Sequence, residues 1–385
     1  MRQMPQRIRE LIDELVIDRQ LVTGAALALR GRRWDATYCC GDNGAGVPMS
    51  EDALFDLASV TKLFTAIVFL ALDERGLLRI NEPLGRYTDA FPHIRELRIA
   101  DLMFFTVDLQ TPKRIDSCAS EEEALQVLYA VEGKPSPVQR YSDIPAMVLA
   151  ELLECATGRT FWSWLDELIV QPLGIEDLLS WRDPRLHRPG QLLMDYSGEL
   201  RIVNDEPVRV PPAPAGTVHD PKARKLNRLC GNAGLFGSTR ALAQVAEGLL
   251  EGRIISVESC RRLVRGESWE ARAQVTTFGY CCYRRNEQSA YYSDLPLIAG
   301  RHSLASTGFT GTYLAVDFDN GGYVVLNANR LHNRVSKVIA SNRECGERVL
   351  VDGTGHVNSS GYVYERHPAV DACFEEILDQ KRSME

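Results

Sequence analysis

The sequence predicts an α+β protein: an antiparallel β-sheet flanked by terminal helices and interrupted by an inserted all-helical domain. Three observations carry this. Two β-rich runs lie near the start, residues 22–29 and 34–40, and two more lie far away, residues 312–317 and 322–327. Helical periodicity dominates the residues between them, about 81 to 207. Helical patterns also open and close the chain. The expected units are a discontinuous sheet domain, residues 1–80 and 208–385, and a mainly helical insertion, residues 81–207, with a cleft between them. A chain of 385 residues is long enough for about two such domains.

Each element has its own signal. Ile8, Leu11, Ile12, Leu15 and Val16 recur at helical spacing after a polar opening, which reads as an amphipathic surface helix and not as a signal peptide. Gly31 separates the first two β runs, which read as an antiparallel pair. From Phe55 a short apolar run turns into a helix that ends at Gly76. Inside the insertion, residues 121–131, 144–156 and 160–170 read as helices. Pro145 sits in the first turn of the second, and Pro172 and Gly174 stop the third.

Pro207, Pro211, Pro212, Pro214 and Gly216 read as a linker or crossing loop. Ser238 or Thr239 then caps a helix with Leu242, Val245, Ala246, Leu249 and Leu250 on one face. Phe318-Asp-Asn-Gly-Gly322 joins the two late strands as a hairpin. Residues 337–350 are expected to form a helix packed back on that sheet. The tail, with a last helix from Pro368, reads as an appendage.

Composition narrows the function. The chain is 45% hydrophobic and 25% charged, as in ordinary globular proteins. Its net charge is −8, and it has no dense Lys/Arg tract with interleaved aromatics, so nucleic acid is not expected as a partner. The longest apolar run, residues 63–72, is too short to span a bilayer. A cytoplasmic location without a membrane partner is expected. Ten cysteines without a Cys-x-x-Cys pattern read as reduced, mostly buried thiols. No metal-ligand motif occurs, and no cofactor is expected.

Ser59-Val60-Thr61-Lys62 carries the chemistry. A serine and a lysine three apart on a helix share one face. This places an amine beside a hydroxyl at a helix start, where backbone N–H groups also point outward. A nucleophile, a base and a stabiliser of negative charge then lie within four residues. Tyr141-Ser142-Asp143 directly precedes the helix from Ile144, which leaves the tyrosine hydroxyl free for acid–base work. A second copy, Tyr292-Ser293-Asp294, lacks a following helix. Ser306-Thr307-Gly308-Phe309 leads into the strand from Thr312, where small residues let a substrate lie against the strand edge. His219-Asp220 reads first as a structural loop pair, with a place lining the cleft as the alternative. Trp162 and Trp164 read as core of the helical insertion, and Arg330 and His332 as surface or helix-capping groups.

Together these residues resemble the serine β-lactamase and penicillin-binding-protein superfamily. The similarity is closest to its class C β-lactamase-like branch of esterases, peptidases and transacylases. It runs from about residue 22 to about residue 350. Residues 55–62, 216–220, 231–236 and 308–312 all look like signature segments of that branch. The resemblance implies that Ser59 attacks a carbonyl and becomes acylated. Lys62 with Tyr141 would take and return the proton. The N–H groups of Ser59 and Phe309 would form an oxyanion hole, with Asp143 bonded to Lys62 or the substrate.

The implied partners are a small-molecule acyl donor and water, an amine or an alcohol as acceptor, with a homo-oligomer left open. Ser306 stands where the family usually has lysine or histidine, and Asn232 where it often has histidine. Phe104-Phe105-Thr106 replaces a His-Thr-Ser-Gly segment. These departures imply a site altered toward an uncharged acyl group. An esterase or acyl transferase is expected first. A β-lactamase or D-amino-acid peptidase that holds its carboxylate by an arginine from elsewhere is the alternative, and a non-catalytic binding protein of the same fold the third reading. To act as a base at neutral pH, Lys62 would have to sit about three units below the usual ~10.4, or roughly 4 kcal/mol.

Overall fold

The computed structural model describes residues 3–31, 34–181, 191–265, 277–286 and 294–378. Strands are numbered in chain order. Among the described residues the largest sheet has six antiparallel strands, in the order β10-β11-β12-β13-β1-β2. They are β1 Gly24–Arg30, β2 Asp35–Gly41, β10 Tyr283–Arg284, β11 Ser303–Thr307, β12 Tyr313–Asp317 and β13 Gly322–Ala328. The N-terminal strand β1 lies beside β13, with Leu27 opposite Leu326. The two ends of the chain therefore meet in one sheet.

Both faces of this sheet are covered, which is why β1 and β13 read as nearly continuous apolar runs. Alternate residues face opposite ways. Ala26, Ala28 and Val325 join the core that holds the Thr61–Glu74 and Thr239–Leu250 helices. Ala25, Leu27, Leu29, Val324 and Leu326 pack instead on the first helix, Gln6–Asp13, and the last, His367–Leu378. The last helix is thus no appendage. Val370, Cys373, Phe374 and Ile377 are buried on the outer face of the sheet. The expected flanking by terminal helices is present, and the fold is that expected from the sequence.

The stretch 81–207 holds the expected helices as Glu121–Tyr129, Ile144–Thr157 and Phe161–Leu165, the last continuing through a π turn to Val170. It also holds strands. β4 Val107–Gln110 and β5 Glu132–Pro135 form an antiparallel ribbon. β6 Leu179–Ser180 joins β3 Phe55–Asp56 and β9 Phe236–Gly237 in a short three-stranded sheet.

A second large sheet runs β15-β16-β14-β7-β8. Its strands are β7 Leu200–Val203, β8 Glu206–Arg209, β14 Arg334–Ile339, β15 Arg348–Val351 and β16 Thr354–Asn358. It corrects two expectations. Residues 337–350 are not a helix: Val335, Val338 and Ile339 are β-branched and extend beside β7, with which β14 runs parallel. The proline-rich stretch is not wholly a linker either. Asn204 and Asp205, both at positive φ, turn β7 into β8, and Pro207 sits on β8 at the sheet edge, where a missing N–H is tolerated.

Phe374 is fully buried in the outer layer. Phe374→Ala is expected to cost about 3–5 kcal/mol, read from the midpoint of urea unfolding. A cost below about 1 kcal/mol would mean that the last helix contributes little to the core.

Candidate active site

Ser59 stands on a constrained elbow. The short strand β3 delivers Asp56, which is fully buried. Its carboxylate accepts the Ala58 N–H at 2.8 Å on one oxygen and the His219 N–H at 2.6 Å on the other. The Thr310 hydroxyl donates to the Asp56 carbonyl at 2.6 Å, and the Thr312 hydroxyl to the Leu57 carbonyl at 3.1 Å. Between these anchors Ala58 lies at φ 45°, in the left-handed region, a conformation that costs about 1–3 kcal/mol for a residue with a side chain. Burial pushes the Asp56 carboxyl above its ordinary value, against the pull of the His219 and Ala58 N–H groups.

One residue after the elbow a 3-10 turn, Ala58–Val60, passes into the buried Thr61–Glu74 helix. Lys62 is 1% exposed. Its ammonium donates to Ser59 Oγ at 2.9 Å, to Asp143 Oδ1 at 2.8 Å and to the Asn232 carbonyl at 3.2 Å. The Tyr141 ring centre lies 4.9 Å from the same nitrogen. Tyr141 is steadied by other rings: it stacks on Tyr283 at 6.4 Å and packs on Phe105 and Phe278.

Asp143 sits at the N-cap of the Ile144–Thr157 helix yet makes no capping bond. Its carboxylate turns into the site instead. There Lys62 takes one oxygen and Lys222 the other, each at 2.8 Å. Burial alone would lower Lys62, but Tyr141 and Asp143 outweigh it and hold the ammonium above its ordinary value. Burial raises the Asp143 carboxyl, but Lys62 and Lys222 overcome this and hold it well below the carboxylate range. These directions run against the depression that a lysine base requires and favour a chain of ammonium, carboxylate and ammonium across Lys62, Asp143 and Lys222.

The late motif closes the other side. Ser306 and Thr307 end β11 and, with Cys281, Cys282 and Tyr283, line a narrow space beside Ser59, Lys62 and Tyr141. Gly308 must be glycine: an added Cβ would lie 2.0 Å from Thr312 Oγ1 and 2.6 Å from the Leu57 carbonyl. Phe309 lines a cavity of about 320 Å³ together with Ser59, Tyr141 and Asp143.

The sequence reading missed several residues of that cavity. Lys222, Arg201 and Lys337 all line it, beside His219 and Asp220, for which cleft lining was the alternative reading. Arg201 and Lys337 are register partners on the parallel pair β7 and β14. His219 stacks on Phe309 at 5.4 Å and pairs with Glu199 at 2.6 Å, so it is not partnered by Asp220. Asp220 caps the Pro221–Leu226 helix that carries Lys222. The Asp-Pro pair was a legible helix start, but nothing local points Lys222 at Asp143.

Arg330 is not a surface group. It is buried, donates to the Ser336 carbonyl and lies 4.7 Å from the Phe309 ring centre. His332 is half-buried beside Asp195 at 3.3 Å and caps no helix. Trp164 is buried in the insertion, as expected, and Trp162 packs against the same core. Of the second Tyr-Ser-Asp copy, Tyr292 and Ser293 lie outside the described residues; Asp294 is bound to Arg366 and His367. Among the described residues no group of three or more His, Cys, Asp or Glu side chains is placed to hold a metal. No helix among them is long and apolar enough to cross a membrane.

A family model described as beta-lactamase matches residues 8–343. The chain belongs to the beta-lactamase family. Among its relatives is a putative D-alanyl-D-alanine carboxypeptidase of Escherichia coli strain K12, 25% identical over 319 residues, covering 75% of this chain and 72% of the relative. Two solved structures are similar to this beta-lactamase-family fold. One is EstCE1, a hydrolase with promiscuous acyltransferase activity, with TM-score 0.66 and 16% identity over 95% of this chain and 97% of the other. The other is the D-amino acid amidase from Ochrobactrum anthropi SV3, with TM-score 0.65 and 16% identity over 96% and 99%.

Asp56→Asn replaces one acceptor of this elbow with an amide donor facing a backbone N–H. Leaving that N–H unsatisfied is expected to cost about 1–3 kcal/mol, read as a lower Tm by calorimetry.

Proposed function

We propose that this protein is an acyl-serine enzyme, an esterase or acyl transferase acting on an ester or amide of a small molecule. One observation carries this reading: Lys62 Nζ lies 2.9 Å from Ser59 Oγ inside a cavity shared with Tyr141 and Asp143. Ser59 Oγ attacks the acyl carbonyl, forming the C–O bond of a tetrahedral intermediate. The serine proton passes to the Lys62–Tyr141 pair. As the intermediate collapses, the bond to the leaving group breaks and the pair returns that proton to the departing oxygen or nitrogen. Water, an alcohol or an amine then repeats the steps in reverse on the acyl-enzyme. We assign oxyanion stabilisation to the N–H groups of Ser59 and Phe309, each worth about 3 kcal/mol in such sites. The structural likeness to a hydrolase with acyltransferase activity is compatible with either acceptor.

The pair takes a proton only in the form that has already lost one. Neutral amine with phenol and ammonium with phenolate are two arrangements of that same form. Asp143 and Tyr141 hold Lys62 charged, so the competent fraction grows as pH rises. The rate of acylation is expected to climb about tenfold per pH unit through neutral and mildly alkaline pH. Asp143→Asn removes one of the two groups that raise Lys62. It should displace the whole limb to lower pH, read from kcat/KM profiles.

A second reading is a β-lactamase or D-amino-acid peptidase that holds a substrate carboxylate by Arg201 and Lys337. Both cations line the cavity, which is the observation in its favour. Intact-mass trapping with p-nitrophenyl acyl esters, a chromogenic cephalosporin and a fluorophosphonate separates the readings, with Ser59→Ala as control. Ester-derived adducts on the wild type alone support the first reading. Cephalosporin turnover well above background supports the second. Absence of any adduct, with Ser59→Ala behaving like wild type, would leave only a non-catalytic binding protein.

A further inference from the structure

The family resemblance offers no role for Lys222, yet it touches the centre of the proposed machinery. It projects from the first turn of the Pro221–Leu226 helix, just after the Asp220 cap. Its ammonium and that of Lys62 take opposite oxygens of one carboxylate, both at 2.8 Å. Asp143 is thereby turned away from the helix N-terminus it would otherwise cap.

We propose that Lys222 is a positioning residue that holds Asp143 as the shared counter-ion of two lysines, so that the site stays charge-balanced when Lys62 gives up its proton. This rests on the acyl-serine reading above. If Asp143 faced Lys62 alone, loss of the Lys62 proton would strand a carboxylate in a largely buried site. An uncompensated charge in such surroundings is strongly unfavourable. With Lys222 present, an intact ion pair remains. Lys222 also repels the Lys62 ammonium directly and weakens the pull of Asp143 on it.

The surroundings are consistent with this division. Around Lys62 the titratable neighbours are Asp143, Tyr141 and Cys281. Burial pushes the Cys281 thiol up to about 12, so it stays neutral. Around Lys222 stand Asp143, Asp220 and Asp116. Asp220 is occupied by two helix N–H groups, and Asp116 by Arg114 at 2.6 Å. On the adjoining Glu121–Tyr129 helix, Glu121 turns to Arg228 and Glu123 to Lys113. Asp143 is therefore the carboxylate with which Lys222 pairs.

The test is the pH dependence of Ser59 labelling by a fluorophosphonate, followed by intact mass between pH 6 and 10. In Lys222→Met the profile should move alkaline by about one pH unit with its slope unchanged, so that labelling at a fixed pH falls about tenfold. Lys222→Arg should restore the wild-type position. A merely structural role would lower the labelling amplitude or the Tm without displacing the profile, and that result would overturn the proposal.

A second readout does not depend on Ser59. The carboxyl carbon of Asp143, followed by 13C NMR at neutral pH and assigned by its loss in Asp143→Asn, should shift in Lys222→Met and return toward its wild-type position in Lys222→Arg. An unmoved resonance would overturn the shared counter-ion even where labelling is normal. Failure of the wild type to label at any pH, with the Asp143 shift present, would sink the acyl-serine reading and leave the charge sharing standing.

Discussion

A buried carboxylate, Asp56, ties the fold to the site. It receives N–H groups from two chain segments 161 residues apart, the Ala58 elbow and the His219 loop, while its own carbonyl receives the Thr310 hydroxyl. These bonds bring the Ser59 loop, the loop before the Pro221–Leu226 helix and the entry to β12 to one point. The left-handed Ala58 persists because it is held from both sides. The placement of Ser59, Lys222 and Phe309 follows from that junction.

The charges of the site are organised around a second carboxylate. Asp143 stands where an uncharged side chain would leave Lys62 freer to lose its proton. Its negative charge is divided between two lysines at equal distance, which changes what it does to either of them. Glu199 performs a similar division farther out, between His219 and Arg201. The exposed Lys337 lies opposite Arg201 in the strand register and adds a further cation beside this carboxylate.

Much of the fold was legible because its signals are local. The Asp-Asn-Gly-Gly hairpin, the Ser238 cap and the glycine at 76 each depend on a few neighbouring residues, and all appear where read. The second sheet was not legible. β14 gains its place from β7, which lies more than a hundred residues earlier, and a short β-branched run before a turn reads equally well as part of a helix. The last helix was misjudged for a related reason: its apolar face has no meaning until the outer face of the β1 and β13 pair is there to receive it.

By itself, the sequence determined the elements and the chemical kit: a serine and a lysine one turn apart, a tyrosine at a helix entry, and a glycine where no side chain fits. Spacing along one helix is a property of the backbone, and no partner is needed to read it. Only the tertiary structure decided the electrical state of that kit. Lys222 reaches Asp143 across 79 residues, and Arg201 meets Lys337 through strand register, so the balance of charge around Lys62 was invisible to any local pattern. Electrostatic interaction depends on distance and burial, and those exist only once the chain has folded.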